Sequence, residues 1–180
     1  MASLQSELAR LLAPDLLQDL DAKSLDEIRT LRAECQSVEV ALSYLRRLAQ
    51  GRLDIVHATF DRQASGQSTD SGGLVTDLAD ILTAGHERPS GPGRLPTLMS
   101  PNLEIEDLTA ELDGILSAQS IGELTDRTPD ELQKIATRIE ETETRLSNER
   151  RAMHELIDHL QAEIVSRYKS GRATVDELLT

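Results

Sequence analysis

The sequence is poor in aromatic side chains and has a single cysteine. Among its 180 residues there is no tryptophan, one phenylalanine and two tyrosines, which argues against a thick aromatic core. The lone Cys35 can form neither an internal disulfide nor a cysteine zinc site, and its place on a predicted apolar helix face indicates a small buried thiol. Leucine, isoleucine, alanine, glutamate and arginine dominate instead, a composition typical of long helices.

Long apolar runs and an excess of cations are also missing. No apolar run approaches the roughly 20 residues of a membrane-spanning helix, and the first residues lack the basic-then-apolar order of a signal peptide. We therefore expect a cytoplasmic protein without membrane association. The formal net charge is −13, which argues against direct DNA or RNA binding and favours a basic protein partner.

Two capping signals introduce two long predicted helices, over 24–63 and 129–169. Ser24 with Glu27, and Thr128 with Glu131, have the spacing of a capping box. Apolar residues then recur at intervals of three and four, so each helix needs a helical partner. The first apolar seam contains Ile28, Leu31, Cys35, Val38, Leu42, Leu45, Ala49 and Val56, with Arg52 as an interruption. The second contains Leu132, Ile135, Ile139, Leu146, Met153, Leu156, Leu160 and Ile164, with Thr142 and Glu149 as interruptions.

The rest of the chain divides into shorter segments around these helices. Glycine, serine and proline over 64–102 are typical of a flexible linker. Short amphipathic helices are predicted over 2–12, with Leu4, Leu8, Leu11 and Leu12 on one side, and over 74–83 and 103–116. The predicted organisation is an N-terminal helix and turn (1–23), the first long helix (24–63), the linker (64–102), a short helix and turn (103–127), the second long helix (128–170) and a tail (171–180).

An internal duplication relates the two halves of the chain. A shift of 104 positions aligns residues 4–63 with 108–167 without a gap. Identical pairs begin at Leu4 with Leu108 and include both glutamates of the capping boxes. We therefore expect each half to build the same elements.

A polar stripe is the most specific feature that repeats. The first stripe is Glu39, Ser43, Arg46, Gln50 and Asp54, and the second is Glu143, Ser147, Arg150, His154 and Asp158. On a helix each set falls within an arc of roughly 80° and runs for about 22 Å. The stripes lie beside the apolar seams, so a ligand can contact them without disrupting a core.

The residue types of the stripes suit a guanine nucleotide. The two helices can pair parallel or antiparallel, and an antiparallel hairpin relates the stripes by a local pseudo-twofold axis. Arg46 and Arg150 suit phosphate or the O6/N7 edge of guanine. The stripe carboxylates can accept from guanine N1–H and N2–H, and the serines can donate to phosphate. The alternative is that the stripes are ordinary surface ion pairs beside a coiled coil.

The spacing Glu-x3-Ser-x2-Arg-x3-Gln-x3-Asp resembles the signature of the RsiG family, the cyclic di-GMP-binding anti-sigma factors of sporulating actinobacteria. The first stripe matches at every position, and the second has His154 in the glutamine place. The resemblance implies an all-α, antiparallel two-helix coiled coil with short accessory helices. It also implies that the ten stripe residues bind two molecules of cyclic di-GMP, and that the bound form holds a flagellar-type sporulation sigma factor, WhiG, away from RNA polymerase.

Other function classes have weaker support in the sequence. A structural coiled-coil adaptor without a small-molecule ligand is the main alternative. His154 and His159 are five residues apart, whereas a zinc-protease helix places its histidines four apart, so we expect no metal. The sequence has no P-loop and no credible serine, histidine and acid arrangement, and we expect no enzyme activity. Neutral His154 can replace only one hydrogen bond of a glutamine, and it can make binding pH-sensitive.

Overall fold

The structure is a computed structural model that describes residues 3–17, 20–65 and 103–171. Over these ranges the chain is all-α and has no β-strand, as predicted. The α-helices are α1 (Leu4–Leu11), α2 (Leu25–Ala64), α3 (Glu106–Ile115) and α4 (Pro129–Lys169). Short 3₁₀ helices, Leu20–Ala22 and Gln119–Asp126, precede α2 and α4. None of the described helices is long and apolar enough to span a membrane.

The order of elements repeats along the chain. A short α-helix, a 3₁₀ helix and a long α-helix occur twice, at positions that the shift of 104 residues relates. The long helices begin and end within one residue of the ranges that the apolar periodicity predicts. The predicted helix over 74–83, most of the 64–102 linker and the tail beyond Gly171 lie outside the described residues.

Both long helices begin with the capping box that their sequences predict. The Ser24 amide donates to Glu27 Oε2 at 2.6 Å, and the Glu27 amide donates to Ser24 Oγ at 3.2 Å. Thr128 and Glu131 exchange the equivalent bonds at 2.8 and 3.3 Å. The bond from the backbone amide lowers the pKa of each glutamate. These bonds satisfy amides that lack a partner at a helix start, which defines where α2 and α4 begin.

The described residues form two compact units, and each long helix contributes to both. The first unit contains 3–17, 20–44, 103–105 and 147–171, and the second contains 45–65 and 106–146. In the first unit Arg29 hydrogen-bonds to Tyr168, and Glu39 contacts Arg150. In the second unit Arg46 contacts Glu143, and Gln63 contacts the Arg127 carbonyl just before α4. Because residue numbers rise along α2 as they fall along α4, the helices are antiparallel in each unit, as predicted.

The apolar seams form the cores of the units. All the predicted seam residues are buried except Ile135, which is half-buried. Cys35 has no exposed surface, and burial raises its pKa to about 11, so its thiol is protonated at neutral pH. Among the interruptions, Arg52 pairs with Asp113 of α3, and the Thr142 hydroxyl donates to the Arg138 carbonyl at 3.1 Å. These two polar interruptions therefore have partners in the second unit.

The end of each long helix is held by a side chain that binds backbone carbonyls. In the first unit the buried Arg167 donates to the carbonyls of Leu20 and Lys23 at 2.6 and 2.5 Å. In the second unit Gln63, its equivalent in the duplication, donates to the carbonyls of Thr125 and Arg127 at 3.3 and 2.9 Å. We call these contacts the end clamps. Each connects the last turn of one long helix to the turn that precedes the other.

Leu12 differs from its predicted place on the apolar side of the first helix. Leu4, Leu8 and Leu11 are buried, but α1 ends at Leu11 and Leu12 is 39% exposed. The prediction was wrong at this residue because the chain after α1 does not cover Leu12, although its amide still donates to the Leu8 carbonyl at 2.9 Å.

Candidate functional site

Four stripe residues meet in the first unit. Glu39 and Ser43 lie one turn apart on α2, and Arg150 and His154 lie one turn apart on α4. Arg150 Nε donates to Glu39 Oε1 and to Ser43 Oγ, both at 2.8 Å. Ser43 Oγ also donates to Glu39 Oε1 at 2.7 Å, and His154 Nε2 lies 3.3 Å from that oxygen. We call this group the Glu39 cluster.

Three stripe residues meet in the second unit. Arg46 and Gln50 lie one turn apart on α2, and Glu143 is on α4. Gln50 Nε2 donates to Glu143 Oε1 at 3.2 Å, and Arg46 Nη1 lies 3.5 Å from the same oxygen. We call this group the Glu143 cluster.

The two clusters use equivalent residues in equivalent contacts. The duplication relates Glu39 to Glu143, Arg150 to Arg46 and His154 to Gln50. In each cluster the arginine of the opposite helix contacts one glutamate oxygen. The residue four positions after that arginine contacts the same oxygen. The imidazole of His154 therefore takes over the contact that an amide makes in the other cluster.

The clusters differ in how completely their arginines are paired. Arg150 Nε has two acceptors, Glu39 and Ser43. Arg46 Nε is buried and has no acceptor among the described residues, while its Nη1 is at the longer distance of 3.5 Å from Glu143. A buried N–H group without a partner costs about 1–3 kcal/mol. The Glu143 cluster therefore has more to gain from an added acceptor.

The other three predicted site residues flank the clusters. Ser147 is half-buried on α4, three residues before Arg150. Asp54 and Asp158 are exposed, each four residues after the last residue of its helix that belongs to a cluster. Successive steps of three or four residues keep all of them on the same helix faces as the cluster residues. The carboxylates of Asp54 and Asp158 are open to a molecule that approaches from solvent.

The pKa of Glu39 reflects a competition between burial and hydrogen bonding. Partial burial opposes ionisation of this carboxyl and is the largest single influence. Hydrogen bonds from Ser43 and Arg150, with the charges of His154 and Arg150, together outweigh it and hold the pKa below its ordinary value. Glu39 is therefore a carboxylate at neutral pH, which accepts hydrogen bonds and donates none.

The lowered pKa of Glu39 predicts a loss of stability in acid. A carboxyl whose pKa is lower in the folded state stabilises the fold above its unfolded pKa, and this contribution disappears as the pH falls through the folded value. We expect Glu39→Gln to flatten the fall in unfolding free energy below about pH 4.5. The measurement is urea unfolding, followed by circular dichroism, from pH 7 to pH 3. Glu155→Gln controls for the loss of one negative charge, and equal pH profiles for wild type and Glu39→Gln would contradict the prediction.

The clusters combine hydrogen-bond donors and acceptors in a half-buried setting. The Arg46 and Arg150 side chains are 27% and 34% exposed, and those of Glu143 and Glu39 are 22% and 18% exposed. Guanidinium groups bind phosphate or a guanine edge, and carboxylates accept from N–H groups. In the part of the chain that the structure describes, no group of histidine, cysteine, aspartate and glutamate side chains is arranged to hold a metal ion. The arrangement suits a ligand with both anionic oxygens and N–H donors.

The sequence predicts these residues as site residues but does not predict their pairing across the helices. Each stripe is a row along one helix, whereas the closest contacts join Glu39 to Arg150 and Arg46 to Glu143. The pairing could have been predicted from the shift of 104 residues together with an antiparallel register. That combination places the glutamate of each stripe opposite the arginine of the other stripe.

Comparison with known proteins identifies the family. A search of curated proteins found no match. A family profile described as RsiG-like matches residues 14–82 and 119–180, which together make up well over half of the chain and include both stripes. The chain belongs to the RsiG-like family, and this membership indicates a regulatory, anti-sigma factor role with a sigma factor as partner.

Proposed function

We propose that this anti-sigma factor binds cyclic di-GMP through the two stripes and, in the ligand-bound state, sequesters a flagellar-type sporulation sigma factor, WhiG. The observation that carries the proposal is the repeated contact pattern of the Glu39 and Glu143 clusters. In both, a glutamate of one long helix meets the equivalent arginine of the other. Ordinary surface ion pairs contribute little, and nothing about a solvated coiled coil requires this glutamate–arginine contact to occur twice.

The chemistry of cyclic di-GMP suits the residues of each cluster. Its guanines present O6 and N7 as acceptors, which an arginine can bind with two hydrogen bonds. Their N1–H and N2–H groups are donors that a carboxylate such as Glu39 or Glu143 can accept, and the phosphates can accept from Ser43 and Ser147. A twofold-symmetric dinucleotide offers each group twice, and the duplicated stripes offer each partner twice. This symmetry alone would be satisfied by one ligand molecule, and we propose two because the resemblance of the stripes to the RsiG signature implies that number.

Ligand binding exchanges one set of partners for another. In the described structure Glu39 and Glu143 receive hydrogen bonds from their own cluster. A guanine edge can replace the arginine at the glutamate, and the freed guanidinium can turn to O6, N7 or phosphate. The buried Nε of Arg46 would gain an acceptor that it lacks. The gain relative to the free protein is therefore greatest at the Glu143 cluster.

We propose that binding of the sigma factor is thermodynamically coupled to binding of cyclic di-GMP. If cyclic di-GMP stabilises the conformation that WhiG binds, WhiG must raise the affinity for cyclic di-GMP by the same factor. The net charge of −13 suits the basic surfaces with which a sigma factor meets DNA, and charge complementarity speeds association.

The test is the affinity for purified WhiG with and without saturating cyclic di-GMP. We expect the ligand to tighten binding roughly 5–150-fold, the usual range of coupling between two sites, and GTP at equal concentration to leave it unchanged. Isothermal titration calorimetry gives both affinities and the ligand stoichiometry. Equal affinity with and without cyclic di-GMP would overturn the coupling, and absence of cyclic di-GMP binding in both titrations would favour a structural adaptor.

A further inference from the structure

Equivalent apolar residues of the two repeats differ in exposure after the short helices. Leu116 is 3% exposed, whereas the equivalent Leu12 is 39% exposed. Ile121 packs against the apolar core of the second unit, whereas the equivalent Leu17 is 37% exposed. The same positions are therefore covered in one repeat and open in the other.

The chain that follows the short α-helix also differs between the two repeats. In the second repeat the 3₁₀ helix is eight residues long and begins at Gln119, so it contains Ile121. In the first repeat the 3₁₀ helix Leu20–Ala22 does not contain Leu17. The chain from Leu11 to Leu17 instead forms one wall of a groove of about 310 Å³, and α4 forms the other wall through Ala152, Glu155, Leu156 and His159. We call this the Leu17 groove.

We propose that the Leu17 groove is a docking site for an amphipathic helix of the sigma factor. The occupant would place large aliphatic side chains between Leu12, Leu17 and Leu156, the mode in which grooves bind the apolar face of a helix. Lysine or arginine beside that face would meet Glu155 and the exposed Asp15. The inference rests on the proposed function for the identity of the partner.

The charge of the chain favours a basic partner over a second copy of itself. Each copy has a net charge of −13, so self-association brings together like charges that repel. The groove is also separate from the ligand stripe, because its α4 residues lie roughly 140° around the helix from the second stripe. A helix in the groove therefore leaves Arg150 and His154 accessible to cyclic di-GMP.

The experiment compares a double variant, which carries both Leu12→Glu and Leu17→Glu, with the single variant Val165→Glu. Val165 is 38% exposed on α4 and does not line the groove, so it controls for placing a glutamate at an exposed apolar position elsewhere. We measure WhiG binding with saturating cyclic di-GMP, cyclic di-GMP binding alone, and the thermal unfolding of each variant. Because Leu12 and Leu17 already face solvent, the double variant should fold. We expect its WhiG affinity to fall at least about tenfold, with ligand affinity unchanged, and Val165→Glu to bind WhiG like wild type.

The outcomes separate this inference from the proposed function. Undiminished WhiG binding by the double variant would overturn the proposal that the Leu17 groove is a docking site. The proposed function would still stand. An equal loss in Val165→Glu would also overturn the groove proposal, since the effect would then be one of added charge. Sedimentation of each protein alone gives its oligomeric state, and a wild-type dimer that the double variant abolishes would identify a second copy as the occupant and overturn the groove proposal. If wild type does not bind WhiG at all, both proposals fall.

Discussion

Replacing Arg46 and Arg150 together by alanine is expected to weaken cyclic di-GMP binding roughly 30-fold or more. An arginine that binds a guanine edge with two hydrogen bonds contributes about 1–3 kcal/mol, and tenfold in affinity corresponds to about 1.4 kcal/mol. Both side chains are half-buried, where solvent screens such contacts less than at an open surface. Calorimetric titration with cyclic di-GMP measures the loss, and circular dichroism checks that the variant folds.

The duplication offers a matched control for this prediction. Arg47 and Arg151 are also an equivalent pair, but each lies one residue along its helix, turned by about 100° from the stripe, and both are exposed. Arg47→Ala with Arg151→Ala removes the same charge and should bind cyclic di-GMP within about twofold of wild type, since surface charges away from a site act weakly. Equal losses in the two double variants would mean that the ligand responds to overall charge, and the stripes would not be its site.

Leu42→Ala is expected to lower the free energy of unfolding by about 2–5 kcal/mol, the range for leucine in a packed core. Leu42 belongs to the seam of α2 and has no exposed surface. The smaller side chain loses its transfer free energy and leaves a cavity that the surrounding helices fill only in part. Urea unfolding followed by circular dichroism measures the change.

Two further variants define the scale of that effect. Leu146 is equivalent to Leu42 and is 1% exposed, so Leu146→Ala should have a cost in the same range. Val165→Ala removes a side chain that is 38% exposed, and we expect it to change stability by no more than about 0.5 kcal/mol. A small effect of Leu42→Ala, comparable with that of Val165→Ala, would show that the seam is not a packed core.

Much of the fold was predictable because its signals are local and occur twice. Each long helix has a capping box at its start and an apolar seam along its length, and both follow from residues three or four positions apart. The antiparallel arrangement was one of two possibilities that the sequence left open. The choice depends on contacts between distant residues, such as Arg29 with Tyr168, which no periodicity within one helix encodes.

The candidate site was predictable as a set of residues but not as a set of contacts. A regular helix determines that Glu39 and Ser43 share a face. Which cation meets Glu39 depends on the axial register of α2 against α4. The contrast between Leu12 and Leu116 was equally hidden, because the two leucines are identical in sequence and equivalent in position. Their exposure depends on which parts of the chain pack over them, and those contacts join residues outside the short helix.

The end clamps have a consequence for local opening of the protein. Helix ends normally fray, and their amides are among the first to exchange with solvent or become open to proteases. Opening the last turn of α4 would break two bonds from Arg167 to carbonyls and uncover a charged group that is 8% exposed in the fold. Gln63 holds the last turn of α2 to the Thr125 and Arg127 carbonyls in the same way. The ends of the long helices are therefore protected positions, where degradation of the folded regulator does not easily begin.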